Sequence, residues 1–341
     1  MKHSIISLFV LLTCVMPLIA QKSTTNKKYS EPKTLLEYEN RYAAGENSHT
    51  FLKNYILKRQ QAGLVKNDEL IEKYVLDLKV CELNSYDQVL FILKAGPIID
   101  GTAYKLAKLN KLINDSIYKT EPLAVRKAID NAIINNSLNS AIASKNKNRA
   151  FEVERFTQNS WGRNYNEGYK NSSLIKLRYY KGIKDTAMYL LIAKLHYDNY
   201  YLNLTVDSVR KLDSLNFIKA KNNAREVSSI QMNDSTVKKK YSFVVAKDVY
   251  AVDLNNAAWD FYNMAKNNND YLFKALIWIR RAIEISPKPA FYDTYAHLLY
   301  QLKMFEEALS MQRKALDLAK ETKIDSSTYK IEYEKMMNKT L

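Results

Sequence analysis

Glycine and proline are scarce in this chain, with seven and six in 341 residues, against average usage of about 7% and 5%. Sandwiches and barrels place glycine at their many turns, so the scarcity speaks against an all-β architecture. Cysteine is scarcer still: Cys14 and Cys81 are the only two. No C-x-x-C pair exists for thiol exchange, and the usual Cys/His zinc sites cannot be assembled. A Walker loop, G-x-G-x-x-G and H-E-x-x-H are also missing, so no cofactor and no metal is expected. Beyond the first twenty residues there are three histidines, His49, His196 and His297. Asp293 and His297 are four apart and share a helix face, which makes at most two ligands of a metal site. Glu152 and Glu154, two apart, would face different sides of a helix and do not form an acid–base pair.

The first twenty residues differ from the rest. Lys2 and His3 precede the apolar run Ile5–Leu12, then Pro17, and Ala20 stands before Gln21-Lys22. A basic start, a short apolar core, a helix breaker and a small residue at the cut describe a secretory signal peptide over 1–20. Spanning a bilayer takes roughly 20 apolar residues, which this run lacks. The alternative is a lipoprotein signal, Leu11-Leu12-Thr13-Cys14, with Cys14 acylated. No later run is long enough to span, so an exported, soluble protein of the periplasm or exterior is expected. With its signal removed it keeps only Cys81 and can form no internal disulfide. Cys81 lies between two helical patterns and reads as a half-buried, inert thiol.

Lys and Arg number 52 against 36 Asp and Glu, a formal net charge of +16. Such an excess can serve nucleic-acid binding. Export and the scattering of the charges argue against that here, since Lys238-Lys239-Lys240 is the only triple. A solvated surface with weak attraction to an anionic envelope is the expectation.

What the chain does have is helical spacing. Phe51, Leu52, Tyr55 and Ile56 form one stripe, and Leu70, Ile71, Tyr74, Val75 and Leu78 another. Ser85 with Gln88 opens a helix as a capping box, Gly96-Pro97 closes it, and Thr120-Glu121-Pro122 starts the next. Ala187–Leu195 reads as a buried helix. The tyrosines on such stripes (Tyr55, Tyr74, Tyr189, Tyr197, Tyr295) are expected to pack their rings and turn their hydroxyls to solvent. Residues 21–33 form a polar linker and 34–218 an N-terminal helical region. The polar stretch 219–247 is read as a connector, its Tyr241–Val245 as a lead-in to the next helix, and 248–341 as helical hairpins with a capping helix.

In that last region one pattern of alanines recurs. Ala258, Ala275 and Ala282 are echoed by Ala296, Ala308 and Ala315, and Ala275 to Ala308 and Ala282 to Ala315 are both 33 residues. Paired helices approach to about 8–10 Å only where side chains are small. A period of this size signals stacked hairpins, none of which can bury its apolar face alone. With Pro287 after the first unit, the region resembles tetratricopeptide repeats. The turn around Lys266–Asp270 is long for that family, and the second unit lacks a closing proline. The fold class expected is all-α, an α-solenoid of stacked helical hairpins.

Tyr38-Glu39-Asn40-Arg41-Tyr42-Ala43-Ala44-Gly45, followed by Phe51-Leu52-Lys53-Asn54-Tyr55, resembles the start of a helical region in secreted thioredoxin-like proteins of Bacteroidota. Asp293-Thr294-Tyr295-Ala296 is similar to the hairpins that end it. The thioredoxin domain itself is missing. Together these features imply a non-enzymatic interaction protein that binds a protein or peptide. The alternatives are an accessory to a thioredoxin-like redox system and a helical enzyme whose site the sequence does not reveal.

Two sets of residues stand out as candidates for binding. By the tetratricopeptide resemblance, the first helix of each hairpin lines a groove, which places Asn255, Trp259 and Tyr262 on one inner face and Asp293, His297 and Tyr300 on the next. The other set is the segment Trp161–Tyr169, with two glycines, three aromatics and an arginine in nine residues. Aromatics with arginine are enriched at interface hot spots, so Trp161, Arg163 and Tyr165 are possible contacts. The plainer reading is a long loop pinned to the core by Trp161 and Tyr169.

Overall fold

Every alanine of the repeat is at 0% exposure: Ala258, Ala275, Ala282, Ala296, Ala308 and Ala315. The computed structural model that shows this describes residues 31–228, 248–266 and 268–341, all of it helix, turn or loop without a strand among them. The leader with Cys14, and Tyr241–Val245, lie outside the described residues.

Two compact units are present, Met1–Asn47 and Ser48–Leu341. In the first, α1 (Leu35–Ala43) opens with a capping box between Thr34 and Glu37. The second begins with five short helices: α2 (His49–Gln61), α3 (Asp68–Leu76), α4 (Tyr86–Lys94), α5 (Thr102–Leu109) and α6 (Lys111–Thr120). Longer ones follow: α7 (Leu123–Ala143), α8 (Lys147–Ser160), α9 (Tyr165–Gly182), α10 (Thr186–Tyr197), α11 (Val206–Ser228), α12 (Val249–Ala265), α13 (Asn269–Ile285), α14 (Pro289–Gln301), α15 (Phe305–Glu321) and α16 (Ser327–Met337). Side-chain oxygens close many N-termini. Asn110, Asn146, Asn164, Asp185 and Asn268 each accept from the amide three residues on, satisfying a donor that the helix cannot. Ser85 accepts from Gln88 N at 3.4 Å, but the Gln88 side chain pairs with Tyr74 instead, so only half of the expected capping box forms.

The long helices stack as hairpins. Helices α7 and α8, α9 and α10, α12 and α13, and α14 and α15 pair along their lengths, while α7 lies beside α9 and α12 beside α14. Lys181 on α9 reaches Asp260 on α12 at 2.6 Å. One row therefore holds α7, α9, α12 and α14, and the other α8, α10, α13 and α15. Helix α16 continues the stack on α15, and α11 packs on α13. One core cluster runs between the rows from Ile134 to Leu298, and a second, of Ala296, Leu299, Ala308 and Met336, joins α14, α15 and α16. At the centre of the first, Trp278 is fully buried, edge-on to Phe261 at 4.6 Å, each such ring contributing roughly 1.5–3 kcal/mol by burial.

Four expectations change. Helix α11 runs to Ser228, ten residues into the stretch read as connector. Helix α10 buries only one face, leaving Leu191 and Leu195 about half exposed. Cys81, in a 3-10 turn (Val80–Asn84), is exposed. Several tyrosine hydroxyls find carboxylates in place of solvent: Tyr189 donates to Asp260 at 2.5 Å and Tyr201 to Asp253 at 2.8 Å. Burial, then these neighbouring carboxylates, raise both phenols.

Candidate functional site

The first-row helices are joined to one another by polar and aromatic pairs. Arg178 on α9 donates to Asn135 on α7 at 3.1 Å; Lys181 and Asp260 link α9 to α12. Between α12 and α14, Trp259 and Tyr262 each meet the His297 ring at 5.3 Å, edge-on. On α14, His297 Nδ1 is 2.9 Å from the Asp293 carbonyl, and its Nε2 is 3.4 Å from Glu332 of α16. Gln312 donates to Asp293 Oδ1 at 2.8 Å. Burial raises the Asp293 carboxyl above the usual carboxylate range, against the lowering effects of His297 and Gln312.

This geometry divides the predicted face. Trp259, Tyr262, Asp293 and His297 do come together, but His297 is only 4% exposed and is enclosed by the two rings and Glu332. It is part of a packed junction. Tyr300 turns away to Phe305, 5.0 Å edge-on, and the Asn255 side-chain oxygen is buried without a partner. Trp259, at 37% exposed, is the open part.

A cleft of about 470 Å³ opens at the other end of the row, between α7 and α9. Its polar wall is built from amides and guanidiniums. Asn131 and Asn135 line it from α7 and Asn171 and Arg178 from α9. Arg126 is held by the Tyr118 carbonyl at 2.8 Å, leaving its Nε buried without a partner. Tyr118 donates to Asp130 at 2.7 Å. Burial raises the Asp130 carboxyl, with Tyr118 and Lys108 pulling it back, and burial lowers Arg178. Trp161, the C-cap of α8, stands at the rim, 42% exposed.

The segment Trp161–Tyr169 is thus not a long loop. A turn closes at Asn164, and α9 starts at Tyr165. Tyr169 is 53% exposed and pins nothing. Gly168 sits inside α9 where a Cβ would come within 2.6 Å of the Gln158 carbonyl, so the glycine lets α8 and α9 close. Trp161 joins the cleft; Arg163 and Tyr165 are exposed and do not line it. The α7 residues were missed, although four asparagines at 131, 135, 136 and 139 of one helix are a signal. Asparagine is a poor helix former, and its presence there asks for another use.

Among the described residues no helix is long and apolar enough to cross a membrane, and no group of His, Cys, Asp or Glu is placed to hold a metal ion. In comparisons with known proteins, no family model, no curated protein and no solved structure matches this chain.

Proposed function

We propose that this protein is an exported, non-enzymatic interaction module that binds a peptide segment of a protein partner across its first-row helices. The observation that carries the reading is the cleft between α7 and α9, where an exposed tryptophan stands beside guanidiniums and side-chain amides. Amides can pair with both the N–H and the C=O of an extended backbone. Arg126, Lys127 and Arg178 favour an acidic residue in the segment, and the +16 net charge would speed the encounter. Trp161 supplies the apolar anchor that interface hot spots use. The alanine repeat supports the same reading, since stacked hairpins of the tetratricopeptide kind present such rows to partners. Location outside the cytoplasm rests on residues 1–20.

Affinity capture from envelope extract tests it, with Trp161→Ala/Arg178→Ala in parallel. Trp161 and Arg178 are exposed, but Arg178 also bonds Asn135 of α7, so a thermal melt first checks that the variant is folded. A partner retained by the parent and lost by the variant supports the reading. No reproducible partner, or equal retention by the variant, overturns it.

A further inference from the structure

Helix α9 has a second cleft on a different face. The first uses Asn171, Leu174, Ile175 and Arg178; the second uses Tyr169, Ser172, Ser173 and Lys176, which helical spacing turns to another side. This cleft, about 360 Å³, is closed by α8, by α10 and by the π-helical segment Asp198–Leu202. Such segments are rare and frequent at functional sites. Here the segment is fixed at two points. Asp198 accepts from Trp278 Nε1 at 3.0 Å and pairs with Lys274 at 2.9 Å, while Tyr201 is tied to Asp253. Between these anchors Asn199 and Tyr200 line the cleft.

The wall combines two chemistries. Phe151, Tyr169 and Leu195 are each more than half exposed, and all three line the opening. Behind them Glu154 is 8% exposed, 3.3 Å from Lys176, and Gln158 and Ser172 add further hydrogen-bonding groups. His196 is 1% exposed. Its Nδ1 lies 3.0 Å from Ser173 Oγ, and its Nε2 is buried without a partner. A neutral ring carries one proton, and an orphaned buried N–H is rarer in proteins than an under-used acceptor. The proton therefore belongs on Nδ1, donated to Ser173 Oγ, which leaves the Ser173 hydroxyl proton for a group in the cleft.

The charges of this wall are paired locally, one with a carboxylate of the wall and one with a carboxylate beside it. Lys176 faces Glu154, and Arg155 faces Glu152 at 3.3 Å. A charged ligand would find each of these charges already paired, and a wholly apolar one would shut the Ser173 hydroxyl proton away from an acceptor, which is costly. A ligand with one apolar face and a rim of groups that both donate and accept meets both conditions. We propose that this cleft binds a saccharide ring, its C–H face on Tyr169 and Phe151 and its hydroxyls on Ser173, Glu154, Gln158 and Asn199.

The test is calorimetric titration of the full mature chain with glucose, galactose, mannose, N-acetylglucosamine, cellobiose and maltose. At least one should bind, and Tyr169→Ala and Ser173→Ala should each weaken it about tenfold or more. Trp161→Ala, in the peptide cleft, should leave it unchanged, so failure here and failure of the peptide reading are separable. Circular dichroism checks that each variant is folded, and Tyr169→Ala carries the test if Ser173→Ala is not. Absence of binding by all six sugars at roughly 10 mM, or equal binding by Tyr169→Ala, overturns the proposal.

Discussion

Between Val249 and Glu321 four helices of 17, 17, 13 and 17 residues pack through alanines, whereas between His49 and Thr120 five helices of 13, 9, 9, 8 and 10 residues are tied by polar side chains to distant backbone. In the later region Ala308 and Ala315 of α15 are wholly buried, and shape decides the fit. In the earlier one Glu72 of α3 accepts from the amides of Thr102 and Ala103 at 3.0 and 3.1 Å, capping α5 from outside. Arg59 reaches Asn67 at 2.8 Å, and Asn67 holds the Leu64 carbonyl at 3.0 Å. Asn136 of α7 then docks the region through the carbonyls of Gly96 at 2.7 Å and Val65 at 3.1 Å. Short helices offer little apolar stripe, and helical stability depends mainly on that stripe. Side chain–backbone bonds such as these supplement it.

The joint between these regions should show the largest effect. Burial, and then the Lys170 charge, lower His196 in α10 from 6.5 to about 4. The unfolded ring takes up a proton near its ordinary value while the folded one does not. Stability from this group is therefore complete above pH 6.5 and falls as pH drops towards about 4, by about 3 kcal/mol in all. Buried carboxyls such as Asp253 and Glu154 are raised and contribute in the opposite direction. Urea unfolding of the parent and of His196→Phe across this range isolates the imidazole, because the carboxyl contributions cancel in the difference. A difference that does not change with pH would show that His196 takes up its proton as readily in the folded state as in the unfolded one.

The two packing styles should also fail differently. Ala308→Phe forces a ring into a closed contact and should destabilise by roughly 1–3 kcal/mol through overpacking. Hydrogen exchange should locate the loss in α14–α16. Asn136→Ala removes bonds to two carbonyls and should cost roughly 1–3 kcal/mol, with faster exchange in α4 and α7. If Asn136→Ala is harmless while Ala308→Phe is not, the earlier region is held by its apolar contacts, and the contrast between the styles disappears.

That contrast also explains what the sequence could show. The alanines were legible because helix contacts demand small side chains at a fixed period, and this leaves a repeat. The stripes at Phe51–Ile56 and Leu70–Leu78 were legible for the same reason: Phe51, Leu52, Tyr55, Ile56, Leu70, Ile71, Tyr74 and Val75 are buried, while Leu78, past the end of α3, is half-buried. Glu72 with Thr102 and Asn136 with Val65 leave no pattern, since they join residues 30 and 71 apart. Trp161 was found through local composition, but its partners Asn135 and Arg178 belong to other helices. Gly168 was read as a loop signal because a glycine that permits a turn and one that permits close packing look alike in sequence. Nothing in Asp198–Leu202 announces a π-segment, and its anchors on α12 and α13 are distant in sequence.

The smallest predicted effect lies at the helix ends and sharpens the same comparison. Helices α2 and α4 are followed by Gly63 and Gly96 at φ 77° and 69°, where glycine is free to adopt the left-handed conformation. Most later helices use lysine there, with Lys145, Lys184, Lys303 and Lys323 at φ 51–63°, while α8 is followed by Gly162 at φ 57°. The hydrogen bonds are the same, as with Leu64 N to Arg59 O at 2.8 Å after α2 and Met304 N to Leu299 O at 2.9 Å after α14. Both closures cap orphan carbonyls, but a side chain in the left-handed region costs about 1–2 kcal/mol. Glycine would relieve this at an entropic cost of about 0.4–1 kcal/mol in the unfolded chain. It would also forfeit the attraction of the lysine charge to the helix C-terminus, roughly 0.3–1 kcal/mol at low salt. At low salt these contributions nearly cancel, so Lys303→Gly should be close to neutral there and stabilise by about 0.5–1 kcal/mol at high salt, where that attraction is screened. Gly63, whose missing Cβ would meet nothing within 4 Å, allows the reverse exchange. Gly63→Lys should destabilise by a similar amount at high salt, and thermal melts at low and high salt on both variants would show whether the two ends of the chain obey one rule.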